Sequence, residues 1–155
     1  MSIELKDEIK QSKPFPSKGA EALLSILRTA TILEHEQNEA LKPFGVTATQ
    51  YNVLRILQGA GEGGLCGREI GERLISKVPD VSRLLDRMDD IELITRERDP
   101  GDRRHVTARI SVKGREVLVD ATPALQTLER KRFKHVDSAA AESLINALGT
   151  IRNAV

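Results

Sequence analysis

Between Ala20 and Leu41 apolar residues return every three to four positions, at Ala20, Leu23, Leu24, Leu27, Ala30, Ile32 and Leu33. That spacing predicts an amphipathic helix whose stripe is too wide to leave in water. Pro43 and Gly45 end it. Thr47, with Gln50 three residues on, has the pattern of a capping box and opens a second helix, largely apolar through Tyr51, Val53, Leu54, Ile56 and Leu57. The glycine-rich run from Gly59 to Gly67 reads as a loop. Arg68 to Leu74 reads as a short helix and Pro79 as the first-turn residue of the next, with Asp80 behind it complementing the helix dipole. Only Ile75-Ser76-Lys77-Val78 separates these two, the tight connection of a helix-turn-helix.

From Val81 the apolar face is Val81, Leu84, Leu85, Met88 and Ile91, and the opposite face carries Asp80, Ser82, Arg83, Asp86 and Arg87. Leu93-Ile94 and Val106 to Ile110 predict the two strands of a ribbon. In the turn between them, Asp99-Pro100-Gly101-Asp102 has proline where φ is pre-set and glycine where a type II turn needs positive φ. A long helix from Lys113 to about Phe133 follows, and Pro123 inside it predicts a kink or a break. Asp137 or Ser138 caps a last helix with Leu144, Leu148, Ile151 and Val155 along one side. Residues 1–19 read as a charged extension, a linker or arm that Pro14 and Pro16 keep extended.

The predicted fold class is mainly α with a small β-hairpin wing, a winged helix-turn-helix with terminal dimerisation helices. Residues 46–112 form the winged helix-turn-helix, and 20–45 with 113–155 form the helical dimerisation region. Terminal helices with spare apolar faces find a partner, most commonly by symmetric pairing.

Composition changes this picture in three ways. The chain of 155 residues is 39% hydrophobic but only 3% aromatic, so the core is aliphatic. Net charge is +1, and ten acids face ten bases between Arg68 and Arg109, so any grip on nucleic acid has to come from local concentration of charge. Arg96, Arg98, Arg103, Arg104 and Arg109 around the turn supply that concentration. Cys66 is the only cysteine, which excludes an intrachain disulfide and fits a reducing cytoplasm. No apolar run is long enough for a membrane span, and the first residues do not read as a signal peptide. A soluble cytoplasmic protein is expected.

Enzymatic motifs are missing: there is no glycine-rich phosphate loop, nucleophile elbow or isolated carboxylate pair. His35, His105 and His135 lack ligand spacing, so neither a metal nor a cofactor is expected.

The chain resembles the MarR family of transcriptional regulators from about Leu23 onward. The resemblance is carried by GREIGERLISKVPDVSRLLDRM (Gly67 to Met88) and by DRRHVTARISVKG (Asp102 to Gly114). It implies a winged-helix homodimer that binds a palindromic double-stranded DNA operator, often released by a small aromatic or phenolic effector. In that reading Ser82 and Arg83 approach base edges, and Arg87 and Lys77 hold phosphates. Ser76 offers a hydroxyl or a helix-terminal N–H, and Asp80 stands at the head of the same helix. Asp102 and Arg104, two apart on a strand, pair to stiffen the wing and aim Arg104 into the minor groove. Arg103 takes the phosphates, with Arg98 as a further candidate. Glu92 stands where relatives usually have glycine, which predicts a different or strained helix end. The effector pocket of relatives lies where the first, second and post-wing helices converge, with His35, Tyr51 and Arg55 as polar groups open to a ligand or a structural role.

Two other readings remain open on the residues alone. The near-neutral charge also suits a winged-helix module that binds protein. Cys66, near Arg68 and a helix start, also suits a redox-responsive regulator.

Overall fold

Side chains that capture backbone N–H groups decide where the helices begin. The structure, a computed structural model, describes residues 3–154. Val155, expected on the stripe of the last helix, lies outside the described residues. After a short α1 (Leu5–Glu8), Ser17 Oγ accepts the Ala20 N–H at 3.1 Å and starts α2 (Lys18–Leu41). Thr47 and Gln50 exchange both bonds of a capping box, at 3.1 and 3.0 Å, to start α3 (Ala48–Ala60). Glu69 reaches back to the Cys66 N–H at 2.9 Å at the head of α4 (Gly67–Arg73). That backbone bond holds the Glu69 carboxyl below the usual carboxylate range. Asp80, Ser111 and Asp137 cap α5 (Val81–Asp90), α6 (Val112–Arg132) and α7 (Ser138–Asn153) in the same way.

The three strands form an antiparallel sheet in the order β1 (Leu65–Cys66), β3 (Val106–Ile110), β2 (Ile94–Arg98). Ile94 faces Ile110 and Leu65 faces Ala108, which puts their apolar side chains on the helices. Leu54, Leu57, Ile70, Met88, Leu93 and Ile94 are fully buried and centre the core on α3, α4, α5 and the sheet. The terminal elements differ. Neither α1 nor α7 buries a residue, and α2 buries only Leu41.

Several local expectations are corrected. The glycine-rich loop contains β1, which pairs with residues some 40 positions away and has no signal in its own two residues. Residues 5–8 are helical, although the extension as a whole reads as extended. Strand β2 begins at Ile94 and runs four residues beyond it, to Arg98. Pro79 lies before α5 and not in its first turn. Asp80 takes extended backbone angles and its carboxylate accepts the Arg83 N–H at 2.9 Å, so the turn after α4 spans Leu74 to Asp80. Helix α6 continues through Pro123. Proline removes the donor for the Val119 carbonyl, and Val119 is 72% exposed, on a side of the helix that water can reach.

Glu92 explains the end of α5. It adopts a left-handed conformation, φ +63°. Leu93 N–H donates to the Met88 carbonyl and Glu92 N–H to the Asp89 carbonyl, both at 2.9 Å, the bond pair of a Schellman motif with glutamate in the glycine position. The conformation costs a residue with a Cβ about 1 kcal/mol. Glu92→Gly is therefore expected to raise the melting temperature by about 2–4 °C, measured by circular dichroism. A lower melting temperature would mean that the glutamate side chain holds the turn.

Candidate nucleic-acid interface

The ribbon tip is shaped by two aspartates acting on backbone. Asp99 Oδ1 accepts the Gly101 N–H at 2.8 Å, and Asp102 Oδ1 accepts the Arg104 N–H at 3.0 Å. Main-chain bonds from Asp99 N–H to the His105 carbonyl and from His105 N–H to the Asp102 carbonyl, both 2.9 Å, close the tip. These Asx turns replace the expected type II turn, and Gly101 does not take positive φ. Asp102 engages the Arg104 backbone, and among the described residues it forms no ion pair with that guanidinium. Both residues lie in the turn between strands, where the same-face argument for a strand does not apply. The Arg103 and Arg104 side chains are left exposed.

Ion pairing distinguishes the arginines on and beside the wing and α5. Arg68 pairs with Glu72 at 3.1 Å, and Arg109 pairs with Glu97 at 3.2 Å while donating to the Glu62 carbonyl at 2.7 Å. Arg96 joins Asp86 and Asp89. Among the described residues, Arg83, Arg87, Arg98, Arg103 and Arg104 enter no ion pair, and all five are exposed. Arg83 and Arg87 are one turn apart on α5. Ser82 of α5 shares a concavity of about 340 Å³ with Arg104 and His105, so the wing tip and the polar face of α5 border the same space.

Two of the other predicted residues, Asp80 and Lys77, have structural partners. The carboxylate of Asp80 is engaged as the cap of α5. Lys77 Nζ donates to the carbonyls of Gly71 and Glu72, at 3.1 and 3.3 Å, and so closes the end of α4. Ser76 is exposed in the turn, beside Ile75, whose N–H donates to Asn52 Oδ1 at 2.9 Å.

The model of the MarR family matches residues 44–105. Sco5413, a MarR family transcriptional regulator from Streptomyces coelicolor, is 30% identical, with 84% of this chain and 90% of that one covered and a TM-score of 0.73. This chain belongs to the MarR family. The HTH-type transcriptional regulator MhqR of Bacillus subtilis (strain 168) is 26% identical over 106 residues, 68% of this chain and 72% of the relative. A mutant MarR from E. coli complexed with operator DNA is 21% identical, with 96% of this chain and 99% of that one covered and a TM-score of 0.73, and it shares the fold. The MarR family is one of transcriptional regulators and not of enzymes.

In this MarR-family chain the end of α5 is fastened to the start of α6. Lys113 Nζ, Ser111 Oγ and the Ser111 N–H donate in turn to the carbonyls of Ile91, Glu92 and Leu93, at 2.8, 2.6 and 3.1 Å. These carbonyls follow the last turn of α5 and would otherwise need water. Gly114 sits against the same strand of chain. Residues 111–114 of the sequence motif thus join the end of α5 to the start of α6.

Where α2, α3 and α6 converge, two adjoining clefts of about 430 and 390 Å³ share Leu33, Gln37, Tyr51, Arg55 and Leu125. The Tyr51 hydroxyl is 2.8 Å from Thr122 Oγ1, tying α3 to α6 in the cleft wall. Arg132, which lines the smaller cleft, bonds Glu36 of α2, and that guanidinium holds the carboxyl of Glu36 below its ordinary range. Tyr51 and Arg55 line the cleft as the family resemblance implies. His35 does not; it is exposed on another side of α2. The larger cleft also touches Asn52, Ile75 and Ser76, at the start of the turn into α5. The sequence reading missed Asn52 because its partner lies 23 positions away. The partners of Arg96 do leave a signal in the sequence, two aspartates three apart on the preceding helix, Asp86 and Asp89.

Proposed function

We propose that the protein is a homodimeric transcriptional regulator that binds a palindromic duplex operator and represses the genes beside it. The observation that carries the reading is the sorting of arginines around the wing and α5: Arg96 and Arg109 are paired, and Arg83, Arg87, Arg98, Arg103 and Arg104 are left for phosphates and bases. Arginine in particular suits this use, since its fork matches two acceptors on guanine. Helix α5, with Ser82, Arg83 and Arg87, enters the major groove. The wing places Arg104 in the flanking minor groove, while Arg103 and Arg98 hold phosphates. Ser76 meets a phosphate at the helix-turn-helix, and Lys77 and Asp80 set the geometry of that turn.

Residues 20–45 and 113–155 form the dimerisation region. Leu23 and Leu27 on α2 and Ile145 and Ile151 on α7 are each more than half exposed in the single chain, an apolar surface a second copy would cover. The clefts around Tyr51 and Arg55 take a small, aromatic effector whose binding relieves repression. Among the described residues no helix is long and apolar enough to cross a membrane, and the protein acts in the cytoplasm, where its DNA lies.

Selection from a pool of randomised duplexes tests the core of this reading. The recovered sites are expected to form an inverted repeat with half-sites about one helical turn apart. Light scattering of the free protein is expected to give twice the chain mass. Recovery of no preferred sequence would favour the protein-binding module.

A further inference from the structure

Arg96 is the wing arginine that faces inward. It lies in the middle of β2, opposite Ala108 of β3, and its side chain turns back onto α5. Its Nη2 is 2.7 Å from Oδ1 of Asp86, and Nε and Nη2 each donate to Oδ2 of Asp89 at 3.3 Å. The two acids are three residues apart and share one face of the helix. Side-chain exposure is 26% for Arg96 against 58% and 41% for Asp86 and Asp89, so the cation is covered by its partners. Burial works against its charge, yet the two carboxylates outweigh that and hold the guanidinium above its ordinary value. Among the described residues no other ion pair joins α5 to the sheet.

We propose that Arg96 is a positioning residue for sequence reading: by gripping both carboxylates it sets the angle between α5 and the wing, so that each meets its groove in one register. This rests on the DNA-binding reading above. Two elements that read neighbouring grooves gain from both only when their relative orientation exists before binding; otherwise ordering them takes away affinity for the correct site. Attraction to phosphate needs no such angle. Loss of the grip therefore lowers discrimination more than it lowers binding.

The full-length protein and its variants are compared by fluorescence anisotropy on a selected operator and on a random duplex of equal length. Arg96→Ala is expected to lower the operator-to-random affinity ratio about tenfold, comparable to one or more mismatched base pairs. Asp86→Asn with Asp89→Asn is expected to lower the ratio by a similar factor while binding random duplex more tightly, because two negative charges are gone. Arg96→Lys keeps the charge but not the fork, and recovers only part of the ratio. If Arg96→Ala does not fold, the other two variants decide. An unchanged ratio overturns the proposal and makes Arg96 a residue of stability alone. An equal fall on both duplexes also overturns it and makes Arg96 a phosphate contact. Failure of the native protein to prefer any duplex removes the DNA-binding reading, and this proposal with it.

Discussion

Alanine at position 114 is expected to cost about 3 kcal/mol or more, lowering the melting temperature by roughly 6–12 °C. A Cβ there would stand 2.2 Å from the Leu93 carbonyl oxygen and 2.8 Å from Cγ1 of Ile110. The carbonyl cannot move aside cheaply, because it also accepts the Ser111 N–H at 3.1 Å. Relief would require separating α6 from the end of α5 and opening the core beside Leu54. Gly59→Ala is the matched control. It lies in α3 with nothing within 4 Å of its added Cβ, so the same change there is expected to be neutral or stabilising by up to about 1 kcal/mol. Thermal denaturation of the two variants checks both signs. A Gly114→Ala protein that melts within 2 °C of the native one would show that this junction is looser than its contacts indicate.

The second large effect concerns DNA. Arg83→Ala and Arg104→Ala are each expected to weaken operator binding by about tenfold or more, the range of a lost bidentate or groove contact. Arg103→Ala is expected to weaken operator and random duplex alike. It should also reduce the slope of log affinity against log salt by about one. Arg109→Ala provides the contrast, since its guanidinium is already held by Glu97 and the Glu62 carbonyl. It should leave the salt slope unchanged. A titration in which Arg109→Ala loses as much as Arg104→Ala would dissolve the distinction between paired and free arginines on which the interface is built.

Much of the framework is legible in the sequence because its causes are local. Thr47 and Gln50 interact across one turn, and the apolar face of α5 repeats at helical spacing, so both are visible in a few consecutive residues. The wing is visible because two apolar runs bracket a turn. Its inner geometry is not: the turn type depends on whether aspartate side chains or a type II φ pattern satisfies the backbone, and both choices suit the same four residues. Pro79 and Asp80 posed a similar choice, since either suits a helix start, and the carboxylate bond to Arg83 decided it. The rest depends on separation along the chain. Strand β1 exists only against β3, and Asn52 finds Ile75 only once α3 packs beside the turn. The Arg96 grip needs β2 to lie along α5.

The division of the arginines has a consequence for how the protein would find its site. A chain of net charge +1 has little to hold phosphate with except where unpaired arginines gather, as on the wing and the polar face of α5. Encounters with DNA in the wrong orientation end quickly, and those on unrelated sequence are held only by the free set. Such a molecule trades long dwell on random DNA for rapid turnover between trials. Its search would then be limited by how often it arrives facing the duplex and not by how slowly it lets go.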